Sequence, residues 1–524
     1  MHCTCVRQTE LPTTSALFAD VLYHPDRTAS FYRYPLRDLE SFQASAREVA
    51  LSDERRAALI AALRVQNPES ESLRRLAKPG TVAVVTGQQV GLFSGPALTI
   101  YKALHAVRMA EWLSENGTPA VPVFWLATED HDFAEVNHAW VFNGDHRPAK
   151  VEMRRSASAQ PVGGVTLAAL PIRELRAALH GLPFGEDAAD LAEETYRAGS
   201  TMGKAFGELL RRLLGRFDIL HVDPMLPAFR ELAAPALRKA VEQAPELTES
   251  VLQRNAALLD AGYHTQVHIE PHTSFVFLLE NGKRLTLRRT GREYTLDSRR
   301  FTSEELMDRA ASLSPNAVLR PVVQDSMLPT VAYIGGPAET AYLAQSATIY
   351  EAILGRMPVA VPRTGFTIFD EHSYKTLERY GLTLQDFFHG DDALRERMAR
   401  RLVPPALHET MRETVRSVDS AVARLEREMA VFDPTLVKAL HRSTKRIRYQ
   451  LAKMEAKAGR EAMRRDSRAM ADATSIYGLI YPERHLQERL YSILPFLARH
   501  GWDLIDYLYE SIQLDCPDHR LMVV

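Results

Sequence analysis

TVAVVTGQQVGLFSGPALTIYKALHAVRMAEWL, residues 81–113, decides the fold class. It opens on a short β-branched run, passes through the glycine-rich loop GQQVGLFSGP, and from Leu98 repeats apolar residues at helical spacing. Pro96 suits a first helical turn, where its missing N–H costs nothing, and Asn116-Gly117 supplies a left-handed stop. Another apolar run follows at 121–127. The stretch therefore predicts a strand–helix–strand unit, the building block of a parallel sheet.

Working outward, residues 217–222 and 267–269 read as short strands, and Asn281-Gly282 between the apolar runs of SFVFLLENGKRLTL signals a hairpin. Residues 330–334, the turn Gly335-Gly336-Pro337 and the helical pattern after it repeat the strand–loop–helix logic. Residues 359–363 form another buried strand ending in Arg363. The expectation is an α/β protein with a parallel-sheet core over 81–385 and a small β insertion near 262–300. Residues 1–80, with a turn at 23–26 and a helical stretch at 39–63, read as a helical cover, and 471–524 as helices returning to the core.

Between them, 386–470 is helical in pattern. Met411, Val415, Val418, Val422, Leu425, Met429 and Phe432 alternate steps of four and three, a heptad seam. Asp433-Pro434 ends that helix and starts the next as cap and first-turn residue, after which Leu440, Thr444, Ile447, Leu451, Met454 and Ala458 resume the rhythm. This predicts an antiparallel coiled-coil arm over about 411–465, whose narrow seams suit dimerisation. From Lys438 to Arg468 eleven Lys/Arg face three acids. A solvated coiled-coil face is the ordinary meaning; contact with RNA is the sharper one.

Composition limits function. The chain has 524 residues, too many for one ordinary core; 46% are hydrophobic and 25% charged, ordinary globular values. Lys+Arg (64) nearly cancel Asp+Glu (66), so nothing favours bulk binding to nucleic acid or an anionic membrane. No stretch approaches the ~18 consecutive apolar residues of a membrane span, and MHCTCVRQTELPTT has no charged leader followed by an apolar run. Cys3, Cys5 and Cys516 are too few for a structural zinc site and read as free thiols. A cytoplasmic home is expected.

Ligands of open α/β sheets gather outside the carboxyl ends of strands, which directs attention to two loops. Thr86, Gly87, Gln88, Gln89, Gly91 and Gly95 lie between a strand and a helix N-terminus, where free N–H groups favour a phosphate or carboxylate, though the loop matches neither a dinucleotide fingerprint nor a P-loop. Lys102, further into that helix, is a ligand contact or a solvent-facing lysine. After the next strand come Thr128, Glu129, Asp130, His131 and Asp132. Helix capping is one reading. The other makes His131 a general base for an amine nucleophile, oriented by Asp130 or Asp132, with Asn137 and His138 two turns on. Metal binding by His131, Asp132 and His138 has no recognised spacing, and no metal is expected. Arg320, Gln324, Glu339 and Arg363 flank the later elements, where arginines suit carboxylates or phosphates or pair with acidic neighbours.

VVTGQQVGLFSGPALTIYKA, VPVFWLATEDHDFAEVNH, SPNAVLRPVVQDSMLPTVAYIGGPAETAY, MPVAVPR and YPERHLQERLYSILPFLARHG together resemble, in order and spacing, the cysteine-adding family of bacillithiol biosynthesis. The resemblance covers most of the chain. It implies a Rossmann-like core with inserted connecting elements of the kind seen in class I aminoacyl-tRNA synthetases, and a homodimer through the coiled-coil arm. It also implies the reaction, an amide joining the cysteine carboxylate to the amine of glucosaminyl-malate. The residues it singles out are Gln88, Gln89, Gly91, Glu129, Asp130, His131, Asp132, Arg320 and Glu339. Carboxylate and amine do not condense appreciably in water, so ATP is the expected activator, yet the His-x-Gly-His and Lys-Met-Ser-Lys-Ser signatures of those synthetases are absent. Tyr481 and Arg484 of YPERHLQER mark a second candidate nucleotide pocket. Competing readings are an RNA-contacting or dimerising accessory protein and an acyl- or nucleotidyltransferase acting on another amine.

Overall fold

The computed structural model describes residues 2–35, 38–153 and 159–524. Five parallel strands form the central sheet: β1 (Val82–Gln89), β2 (Ala120–Ala127), β3 (Leu220–Val222), β4 (Thr330–Gly335) and β5 (Val359–Pro362). Their spatial order is β5-β4-β1-β2-β3. Helix α1 (Leu98–Glu115) connects β1 to β2, and α2 (Pro337–Leu354) connects β4 to β5. The chain thus winds outward from β1 in one direction and returns to wind in the other. The switch point lies between β1 and β4, where their carboxyl ends open a crevice.

Both faces of the sheet are covered, which is why its strands read as unbroken apolar runs. Successive side chains point to opposite faces: Val82 and Val84 pack with Ala106, Met109 and Leu113 of α1, whereas Ala83, Val85, Val123 and Trp125 pack with Phe229, Leu237, Leu343 and Tyr350. Fully burying side chains of this size stabilises by roughly 1.5–3 kcal/mol each.

Three expectations change. Residues 267–269 form no strand, because the side-chain oxygen of Gln345 accepts the N–H groups of Gln266 and Val267 (3.1 and 2.9 Å) and ties the run to α2. The helix read across 39–63 is two, Leu39–Glu48 and Asp53–Arg64, since Ser52 caps the second by accepting from Arg55 N–H at 3.3 Å. The β insertion is larger than 262–300: Thr273–Glu280, Lys283–Thr290, Glu293–Leu296, Arg299–Thr302 and Leu313–Pro315 make one antiparallel sheet. Its first hairpin turns at Asn281 and Gly282, both at positive φ (52° and 71°), the conformation that tight hairpins require.

Two sheets were not anticipated, the antiparallel pair His138–Phe142 with Pro148–Glu152 and a three-stranded sheet. Strand His519–Val523 lies between His2–Val6, antiparallel, and Phe366–Phe369, parallel. It fastens sequence-distant segments beside the core.

The arm consists of α3 (Pro405–Phe432) and α4 (Pro434–Arg465). Asp433 separates them and accepts the Thr435 N–H at 2.8 Å, the cap its position implied. Ion pairs His408–Glu455, Asp419–Arg448 and Glu426–His441 join residues that rise along one helix as they fall along the other, so the pair is antiparallel. No residue of α3 is buried, and in α4 only Thr444, Gly459 and Met463 are. Among the described residues no helix is long and apolar enough to cross a membrane.

Candidate active site

A cleft of about 710 Å³ opens at the switch point. Gly87, Gln88 and Gln89 enter it from the end of β1, Glu129, Asp130 and Glu135 from beyond β2, and Gly336, Pro337, Ala338 and Glu339 from the start of α2. Arg284 and Phe277 reach it from the β insertion, Arg320, Tyr333 and Tyr342 from around β4, and Arg363 and Arg489 from the far wall. A larger cavity, about 870 Å³, lies along edge strand β3, where Arg211 pairs with Glu208.

Most charges of the cleft are also paired. Lys102 is fully buried and is not solvent-facing; its ammonium meets both oxygens of Glu339 at 2.8 Å and donates to the Gly87 carbonyl. Burial pushes the Glu339 carboxyl up, but Lys102, the Gly336 N–H and the Tyr333 hydroxyl outweigh it and hold the group below the usual carboxylate range. Arg363 donates to both oxygens of Glu488 (2.9 and 2.6 Å), and Arg230 pairs with Glu129.

Gln89 Nε2 donates to Asp130 (2.6 Å) and Glu135 (2.7 Å), holding two carboxylates at one edge. Burial raises the Asp130 carboxyl, yet Gln89, the His131 N–H and Arg284 together keep it below the usual range. It stays ionised. Two guanidiniums differ from the rest: Arg320 donates only to neutral groups, Gln324 (3.0 Å), Tyr342 (2.8 Å) and Tyr333 (3.2 Å), and Arg489 has no ion pair or side-chain hydrogen bond among the described residues. Their positive charges are the ones left for an incoming anion.

Several residues nominated from sequence lie elsewhere. Thr86 is buried and donates to the Ile334 carbonyl (2.8 Å), stitching β1 to β4. Gly91 and Gly95 pack on each other: a Cβ on Gly91 would come within 2.9 Å of Gly95 Cα, and the Tyr196 hydroxyl donates to the Gly91 carbonyl. The loop is structural there, and at the N-terminus of α1 the Ala97 N–H donates to the Tyr491 carbonyl (2.7 Å). Both helix starts reach the cleft, α1 through Leu98 and α2 through Pro337, Ala338 and Glu339.

His131 sits outside the cleft lining, and Arg284 donates to its Nδ1 at 3.1 Å. Arginine cannot accept, so the lone pair that a base would use is occupied. Asp132 caps the short helix Phe133–Val136 by accepting from Ala134 N–H (3.1 Å) and does not orient His131. Asn137 and His138 bond to each other (3.0 Å) outside the cleft lining, and His131, Asp132 and His138 do not converge as a metal-ligand group. Gln324 is buried beneath Arg320, and the Gly335 carbonyl accepts the Arg363 N–H. Tyr481 is buried edge-on to Phe388, while Arg484 lines a separate pocket of about 430 Å³ with Tyr477 and Asp391. In the same motif it is Glu488 and Arg489 that serve the cleft. Arg284, Tyr333, Tyr342 and Arg489 were not nominated; all but Arg284 lie in the blocks that carry the family resemblance, Arg284 lies in the quoted hairpin stretch, and only the fold supplies their direction.

Two family models match end to end: "Bacillithiol biosynthesis BshC, N-terminal Rossmann-like domain" over residues 1–364 and "Bacillithiol biosynthesis BshC, C-terminal coiled-coil domain" over 366–523. The chain belongs to the BshC family. A relative from Solibacter usitatus is 72% identical over 524 residues, covering all of both chains. One from Koribacter versatilis is 36% identical with 99% of each chain covered, and one from Symbiobacterium thermophilum is 31% identical with 93% and 94% covered. Each bears the name "Putative cysteine ligase BshC". The Rossmann-like core and coiled-coil arm of the BshC family are the two architectures seen here.

Proposed function

We propose that this chain is a carbon–nitrogen ligase that joins L-cysteine, through its carboxylate, to the amine of glucosaminyl-malate, completing bacillithiol in the cytoplasm with ATP as activator. The observation that carries this reading is the pair Arg320 and Arg489, cations of the cleft that form no ion pair among the described residues. Malate contributes two carboxylates, and bidentate guanidinium contacts suit them. The first turn of α2 offers N–H groups to a further anion.

The chemistry balances as two displacements. A cysteine carboxylate oxygen attacks a phosphorus of ATP, releasing pyrophosphate or ADP; the amine nitrogen then attacks the acyl carbon, and the phosphate leaves with that oxygen. The amine proton passes to Asp130, which lines the cleft as a carboxylate, rather than to His131.

The arm supports a homodimer. Leu425, Ile447 and Met454 of its seams are 46%, 43% and 53% exposed in the single chain, which is the apolar surface a second copy would cover. Deleting the gene tests the reaction: glucosaminyl-malate should accumulate and the cysteine-bearing thiol should vanish. Unchanged levels of both would reject the ligase reading.

A further inference from the structure

All three cysteines of the chain meet at one surface patch, although they come from distant parts of the sequence. Cys3 and Cys5 are two apart on strand His2–Val6 and therefore share a face. That strand places Cys5 opposite Arg520. Cys516 lies in the turn just before His519–Val523, and its Sγ is 3.9 Å from Cys5 Sγ across 511 residues of sequence. Arg520 donates to Cys5 Sγ at 3.5 Å and is braced by Gln513 at 2.8 Å. Cys3 and Cys5 are exposed and Cys516 is half-buried, so small molecules can reach them. None lines the cleft. Among the described residues no three His, Cys, Asp or Glu side chains converge as metal ligands, so proximity and exposure are what the patch offers.

We propose that Cys5 and Cys516 form a reversible thiol–disulfide couple that exchanges with small-molecule disulfides of the cystine class. One protein thiolate attacks a sulfur of the disulfide RSSR, forming a mixed disulfide and expelling RS⁻. The second thiolate then attacks the protein sulfur of that bond, forming the Cys5–Cys516 disulfide and expelling the second RS⁻. The two protons lost by the cysteines end on two RSH; the protein loses two electrons and the small disulfide gains them. A disulfide needs sulfurs about 2.05 Å apart. The remaining approach falls to Cys516, which sits in a turn rather than a strand.

Arg520 favours the thiolate, as a neighbouring guanidinium does, while burial holds the Cys5 thiol up at about 11, with Cys516 and Cys3 adding to that rise. Exchange is accordingly slow near neutrality and quickens as pH increases. The strand carrying Cys5 leads directly into Gln8–Thr14, which with Arg363, Glu488 and Arg489 encloses a small cavity behind the cleft. Oxidation would therefore fix the segment that backs Arg489. The couple itself does not depend on the ligase reading.

Treating the purified full-length protein with cystine, then measuring free thiols, intact mass and tryptic peptides, tests the couple. We expect the three titratable thiols to fall to one, with the mass of two hydrogens lost, a peptide linking Cys5 to Cys516, and full reversal by dithiothreitol. Cys5→Ser and Cys516→Ser should each instead retain a cysteinyl adduct, whereas Cys3→Ser should still form the link. Three thiols surviving excess cystine, independent adducts on each cysteine, or a link mapped to Cys3 or to a second chain would overturn the proposal.

Discussion

Lys102 is the residue whose sequence context said least and whose position says most. Helical spacing left it facing either solvent or a ligand; in the fold it is buried against Glu339, and direction, not residue type, made the difference. Removing one partner of a buried pair leaves an uncompensated charge, so Lys102→Met should cost about 3–5 kcal/mol in denaturant unfolding. Adding Glu339→Gln should recover much of that, and equal losses in the single and double variants would contradict the pairing. The acidic loop after β2 was legible as a site but not in its roles, because Arg284, from 153 residues away, occupies the basic nitrogen of His131. His131→Asn should leave kcat within about threefold, whereas Asp130→Asn should lower it by about 10²–10⁴-fold, the range of general-base loss. Steady-state kinetics giving the reverse order would restore His131 as the base.

At the level of elements, the strand–loop–helix repeats were legible because their periodicity is local: five or six apolar residues, a glycine turn, then a helical stripe. The same locality hid the sheet that joins His2–Val6 to His519–Val523, whose partners no short window contains. It also hid the end of the 267–269 run, where Gln345 captures the backbone N–H groups that a strand would need. The coiled-coil arm was readable from its heptads, and its exposed seam makes a prediction of its own. Leu425→Glu combined with Ile447→Glu should convert a dimer to a monomer in light scattering while the far-ultraviolet circular dichroism of the helices persists. A dimer of unchanged mass would place the interface elsewhere.

For the whole molecule, two histidines buried within the fold set an acid limit. Burial, with Arg211 adding to it, lowers His221 from 6.5 to about 3, and burial lowers His519 from 6.5 to about 4. Both are neutral when folded, so above pH 6.5 neither affects stability. Between 6.5 and 4 the unfolded chain binds protons that the folded chain refuses, and stability falls with pH by up to about 1.4 kcal/mol per unit for each group. Melting temperatures recorded from pH 7 to pH 4 should decline over that window, with a shallower slope for His519→Gln; a flat profile would show that these imidazoles are not held neutral. The central claim, that the cleft at the β1–β4 switch point joins cysteine to an amino-sugar dicarboxylate, meets its most direct test in purified protein given glucosaminyl-malate, cysteine and ATP. Wild type should yield a thiol of the mass of bacillithiol together with AMP or ADP, and Arg320→Met and Arg489→Met should raise KM for glucosaminyl-malate about 10- to 100-fold, the cost of a lost charge-assisted contact. Product formation indifferent to both substitutions would contradict the assignment of the cleft.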